Sequence, residues 1–179
     1  MKYVVLLITI MQISNTENFT INFGKNGEEN WYIVNDVVMG GRSTGTINIA
    51  KKAINFSGYL SLENNGGFAS IRSPYQNYDL SDYDKVKIRY KSIGKQFAFT
   101  LELSEQWYQP YYKFYLDTTG NKWQEVEIDL KNFEGQEIGK PTGKTITQNQ
   151  LNKIIRLGFI TTDKNAGQFE LLIDYIHFF

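Results

Sequence analysis

Few residues in this chain could do covalent chemistry. There is one histidine, His177, and no cysteine. Disulfides, thiolate metal sites and cysteine nucleophiles are therefore excluded. A Ser-His-Asp triad could draw only on His177, which sits among Phe, Ile and Tyr and reads as a core or edge residue of a strand. A His-rich zinc site is excluded as well. No glycine loop opens a long helix, so a phosphate cradle has no support, and Gly40-Gly41 alone does not make one. Carboxylates remain. Glu102 and Glu105 lie near Trp107 and Tyr108, a combination that suits a carbohydrate cleft, against the plainer reading of a strand end with solvated acids. Trp107, Tyr108, Tyr111 and Tyr112 could stack on sugars or simply pack core and rim. Asp36, Asp117 or Asp163 could offer oxygen ligands to a hard cation, but no dense Asp-x-Asp spacing backs one. The chemistry available is that of binding, with no cofactor and no metal expected.

The densest constraints fall in Trp31 to Ser43, where an aromatic and β-branched run meets Asn35-Asp36, then Val37-Val38-Met39, then Gly40-Gly41. Asn and Asp bond nearby backbone and tolerate left-handed conformations. Glycine allows positive φ or the close approach of another backbone or a ligand. The stretch predicts a strand, a structured loop and a second strand. Asn64-Asn65-Gly66-Gly67 is a second strong turn. Both turns are expected to be chiefly structural, with polar side chains bonded to loop backbone.

The elements around them are strands. Phe19 to Phe23 alternates, and Trp31 to Val34 follows. Thr44–Ala50 and Ala53–Leu62 predict a hairpin turning near Lys51-Lys52, and Phe68–Ser73 a strand stopped by Pro74. Val86, Ile88 and Tyr90 share one face of the clearest strand, opposite Lys85, Lys87, Arg89 and Lys91. Phe97, Phe99, Leu101 and Leu103 repeat the pattern, and Tyr111–Leu116 and Trp123–Leu130 are two more strands. Glu134 to Lys144 holds four Gly or Pro residues and reads as a long surface loop. Thr147 to Gln150 is a capping-box pattern that predicts one or two helical turns over Gln148–Lys153. Ile154–Thr161 and Gln168–Phe179 close the chain as strands. Many short strands with unequal loops and minimal helix argue for an all-β jelly-roll β-sandwich.

Composition agrees. Of 179 residues 15% are aromatic, with 15 Gly and only 3 Pro, which suits tightly turned strands. Lys and Arg balance Asp and Glu at 19 each, so no field steers the chain to nucleic acid or acidic lipid. Behind Met1-Lys2, Tyr3 to Ile13 is apolar except for one Thr and one Gln. It is shorter than the about 20 residues of a spanning helix, so no stable membrane span is expected. It does not alternate, and it fits a secretory signal better than a buried first strand. The expected organisation is a signal peptide over 1–16 and one sandwich domain over 17–179. That implies bacterial export to periplasm or exterior, with a cytoplasmic location as the alternative. Asn18-Phe19-Thr20 and Asn55-Phe56-Ser57 are formal glycosylation sequons.

Two blocks carry a resemblance. Trp31, Val34, Asn35-Asp36, Val38-Met39-Gly40-Gly41 and Ser43 form one, and Gly66-Gly67-Phe68-Ala69-Ser70-Ile71-Arg72 the other. Weaker matches follow at Trp123, Val126, Ile128, Phe133, Leu157-Gly158-Phe159, Gly167-Gln168-Phe169 and Leu171 to Ile176. The chain resembles the complex I intermediate-associated protein family, similar in fold to galactose-binding β-sandwich domains. The resemblance implies a non-enzymatic role as an assembly factor or chaperone that binds a protein partner. The alternative is a carbohydrate-binding module of an exported protein. On the first reading the binding residues are Asn35, Asp36, Met39, Gly40, Gly41, Arg42, Ser43, Phe68 and Arg72. On the second, Trp107 and Tyr108 take the glycan. The two blocks are expected to meet in space with Arg72 near the Asn35–Ser43 loop. Arg72 there would either present its donor fork to a ligand or be held by Asp36 in a bidentate pair.

Overall fold

The computed structural model describes residues 18–24, 30–50 and 52–179, so the expected signal segment lies outside the described residues. Two antiparallel sheets face each other. The first has six strands: β1 (Phe19–Asn22), β3 (Thr44–Ala50), β4 (Ala53–Leu60), β6 (Lys85–Ile93), β9 (Gln124–Asp129) and β13 (Gly167–Phe178). Its order is β3-β4-β13-β6-β9, and β1 pairs with the later half of β13, Phe19 opposite Phe178. The second sheet holds β2 (Tyr32–Asn35), β5 (Ala69–Arg72), β7 (Phe97–Glu102), β8 (Tyr111–Leu116), β10 (Glu134–Glu137), β11 (Lys140–Thr145) and β12 (Arg156–Thr161). Its order is β11-β10-β8-β7-β12-β5-β2. This is the expected all-β jelly-roll sandwich.

Alternation decides which side chains fill the space between the sheets. In β6, Val86, Ile88 and Tyr90 are buried, while Lys87 reaches Glu127 across the strand pair at 2.8 Å on the outer face. From the facing sheet, Phe97, Phe99 and Leu101 enter the same core. Aromatic rings stitch the layers: Phe56 lies 4.8 Å from Phe169, and both meet Phe97 of the opposite sheet edge-on. Tilted and edge-to-face contacts of this kind add to area burial.

Two 3-10 turns, Asp36–Met39 and Glu63–Asn65, and one short helix, α1 (Gln148–Leu151), interrupt the strands near the regions of interest. The capping box of α1 forms as expected, with the Gln150 side-chain Oε1 accepting from Thr147 N–H at 2.9 Å. The expected long loop over Glu134 to Lys144 is wrong. It is the hairpin β10–β11, turning at Ile138-Gly139 with φ of 48° and 73°. That turn needs positive φ at both central residues, and Ile is a poor signal for it. Gly135 belongs inside the strand because a Cβ there would strike the Thr142 hydroxyl.

Candidate binding surfaces

The two blocks do meet. β2 pairs with β5, Asn35 opposite Ala69, so the Asp36–Met39 turn adjoins the Gly66-Gly67 turn. Asp36 is the clamp between them. Its carboxylate is buried and accepts from Ser43 Oγ at 2.6 Å, Ser43 N–H at 2.9 Å, Gly67 N–H at 2.6 Å and Phe68 N–H at 3.3 Å. Burial alone would raise its pKa, but the bonds from Ser43, Gly67 and Phe68 outweigh that and hold it below its ordinary value of 3.8. Asn64 donates to the Gly40 carbonyl at 3.1 Å, a second tie between the turns. The two glycines play different parts. Gly40 has φ of 88° and open space around it, whereas a Cβ on Gly41 would run into the Asp36 carboxyl.

This clamp holds Val37, Val38 and Met39 out in solvent, 60%, 73% and 70% exposed. Leu62, also exposed, and the Arg42–Glu63 ion pair at 2.9 Å lie on the flanking segments. Asn35 turns inward and leaves its side-chain Oδ1 buried without a donor among the described residues. Phe68 is half-buried, and Ser43 is fully occupied with Asp36 and the Ser61 backbone.

Arg72 departs from expectation. The strand register sets it opposite Tyr32, at the far end of β2 from the Asn35 loop. Asp36 does not hold it. Its guanidinium donates to Ser70 and lies 3.7 Å from Glu102. The outer face of the seven-stranded sheet carries a network there that single-strand alternation does not announce. Arg156 is buried and pairs with Glu102, and it donates to the hydroxyls of Tyr32 at 2.8 Å and Tyr75 at 2.5 Å. The Tyr75 ring covers the guanidinium at 4.4 Å. Burial works against the Arg156 charge, but Glu102 and Tyr32 outweigh it and raise its pKa. In the middle of the face sits Gly158, between Arg72 and Thr100, where a Cβ would meet Thr100 Oγ1 at 2.7 Å. Tyr111 and Tyr115 lie further along the same face. Arg156, Tyr32 and Tyr75 were missed because their contacts join residues 81 and 124 positions apart.

The acids and aromatics near Glu102 separate. Glu102 is an ion-paired member of the network rather than a solvated acid. Trp107 and Tyr108 stand exposed in the β7–β8 loop with rings 6.0 Å apart at 87°, so they form no shared flat platform. Tyr111 faces outward and Tyr112 is buried in the core. Among the described residues no group of three or more His, Asp or Glu is placed to hold a metal. His177 is a strand residue bonded to the Thr20 hydroxyl at 2.7 Å and stacked on Phe179. Among the described residues no helix is long and apolar enough to cross a membrane.

The fold is thus a jelly-roll sandwich with clamped loops at one place and a tyrosine-arginine sheet face at another. The likeness to solved structures agrees on the fold. The chain is similar to the family 11 carbohydrate-binding module from Clostridium thermocellum in complex with a β-1,3-1,4-mixed-linked tetrasaccharide, with TM-score 0.64 and 16% identity over 90% of this chain and 94% of that one. It is similar too to the same family's module of the cellulase Lic26A-Cel5E, with TM-score 0.65 and 17% identity over 89% and 93%. In sequence, residues 21–173 match the model of Complex I intermediate-associated protein 30, and the chain belongs to that family. Mouse mitochondrial Complex I intermediate-associated protein 30 is 25% identical over 175 residues. That match takes in 84% of this chain, which spans about half, 52%, of the length of the mouse protein.

Proposed function

We propose that the protein is a non-catalytic module that binds a protein partner during assembly, docking through Val37, Val38 and Met39. One observation carries the reading. A buried carboxylate with four donors fixes a turn whose three apolar side chains all point into water. Exposed apolar residues scattered singly need no explanation, but a contiguous, rigidly held group marks a contact surface. Burying a valine contributes about 1.5–3 kcal/mol, so two valines and a methionine are enough to anchor a small interface. Membership of a family named for complex I intermediates makes an assembly intermediate the partner of choice. The test places a photo-crosslinking residue at Val38 in host cells. Crosslinks to subunits of NADH:ubiquinone oxidoreductase, lost in Met39→Asp with an unchanged melting curve, are the expected result. Crosslinks that persist in Met39→Asp, or none at all, overturn it.

A second reading has its own observation. The outer face around Arg72, Arg156, Glu102, Tyr32 and Tyr75 supplies aromatic rings beside hydrogen-bonding groups, the ingredients of a glycan site. The similarity in fold to a module in complex with a β-1,3-1,4-mixed-linked tetrasaccharide adds support. Titration with the β-1,3-1,4-mixed-linked tetrasaccharide, read by tyrosine fluorescence, separates the two. Saturable binding lost in Tyr75→Ala supports the glycan, and no binding removes it.

A further inference from the structure

The outer face of the six-stranded sheet holds a depression of about 320 Å³ that neither surface above uses. Leu172 and Glu170 of β13 line it, with Asn55 of β4 on one side and Lys91 and Arg89 of β6, together with Trp123, on the other. Three features of its chemistry are unusual. First, the charges are incompletely paired. Lys85, Lys87 and Arg89 of the same strand each reach a carboxylate, Arg89 reaching Asp174. Lys91 makes no ion pair among the described residues; its ammonium lies 5.9 Å from the Trp123 ring centre. Among the described residues Glu170 has no cation either, and accepts from the Asn55 amide at 2.8 Å. Second, that amide fixes the Glu170 carboxylate on the floor of the sheet, its own Oδ1 being shielded from solvent. Third, the Trp123 ring already carries Arg89 at 4.7 Å from its centre.

We propose that this depression binds a free α-amino acid. The ligand carboxylate sits on Lys91, its ammonium donates to Glu170, which the Asn55 amide holds in place, and its side chain lies against Leu172 and the edge of Trp123. Two cations, Arg89 and Lys91, and two carboxylates, Glu170 and Asp174, line the space, so a simple anion or cation meets a like charge on one side. A zwitterion meets neither. The cations on Trp123 crowd the flat ring on which a sugar would stack. The volume lies at the small end for ligand pockets, which suits a molecule of this size. The site is on the opposite sheet from the glycan face and stands independently of the protein-docking reading.

The experiment is a titration of the ¹⁵N-labelled full chain with glycine, L-leucine, L-glutamate and L-lysine. Acetate, methylamine and glucose serve as controls. An amino acid should shift the Asn55 side-chain amide and the Trp123 indole signals saturably, while acetate and methylamine, each half of the ligand, should not. Glu170→Gln keeps the acceptor for Asn55 and removes the charge. Lys91→Met keeps the stem. Each should weaken binding roughly tenfold or more, the loss of one charge-assisted hydrogen bond, with the rest of the spectrum in place. Absence of a saturable shift into the millimolar range overturns the proposal, as does unchanged affinity in both variants. Glucose moving the same signals in place of the amino acids also overturns it.

Discussion

Asp36 concentrates more of the local order than any other single side chain, and its protonation should be visible in stability. Its pKa is lowered in the folded chain from the ordinary 3.8. A depressed carboxylate contributes stability that is present above the unfolded value and lost as pH falls through the folded one. Urea midpoints should therefore fall for the native chain below about pH 4, while Asp36→Asn, already destabilised at neutral pH, should lack that component. Parallel pH profiles would contradict it. Asp36→Ala leaves Ser43, Gly67 and Phe68 donors without their acceptor and should cost about 2–4 kcal/mol. The neighbouring glycines separate two causes. Gly40→Ala meets no atoms but forces a left-handed alanine, costing about 1 kcal/mol. Gly41→Ala should cost more than Gly40→Ala, because it displaces the carboxyl itself. Equal melting temperatures would refute the distinction. The clamp was legible, since an Asx residue beside a glycine pair is turn chemistry. The partner of Arg72 was not. Which carboxylate an arginine meets depends on the register of β5, β12 and β7, and no local pattern encodes that Glu102 stands between Arg72 and Arg156.

Elements were legible where the period was strong and opaque where a turn broke its own rule. β6 and β9 alternate cleanly, and both form with the expected faces. The capping box announced α1, and its Gln150 also donates to the Tyr112 hydroxyl at 2.7 Å, fixing the helix to β8. The β10–β11 hairpin hid behind its glycines and one misplaced residue. Ile138 has φ of 48°, a left-handed conformation that a β-branched side chain resists. It is 60% exposed, so no packing requires it. Ile138→Asn should thus stabilise the fold by about 1 kcal/mol, seen as a higher urea midpoint at unchanged slope. A lower midpoint would show that Ile138 is held by contacts that outweigh its strain.

At the scale of the whole molecule, strand content and two-layer packing follow from alternation, but strand order does not. The last strand is central. β13 pairs with β4 and β6, and its later half also carries β1, the first strand described. A twelve-residue, mostly apolar strand hints at such a place, though period alone cannot say which partners it takes. The six-stranded sheet is therefore joined through β13. Ile176 and Phe178 are fully buried, and losing a core side chain of this size costs about 2–5 kcal/mol. Two such losses, with the pairing of β1 removed as well, equal most of the roughly 5–15 kcal/mol that a domain has in reserve. A chain ending at Ile173 should show no cooperative melting by circular dichroism, whereas Phe178→Ala alone should still melt cooperatively at a lower temperature. If the shortened chain melts as one unit, the seven-stranded sheet is stable without a completed partner, and β13 is a late addition rather than the keystone of the sandwich.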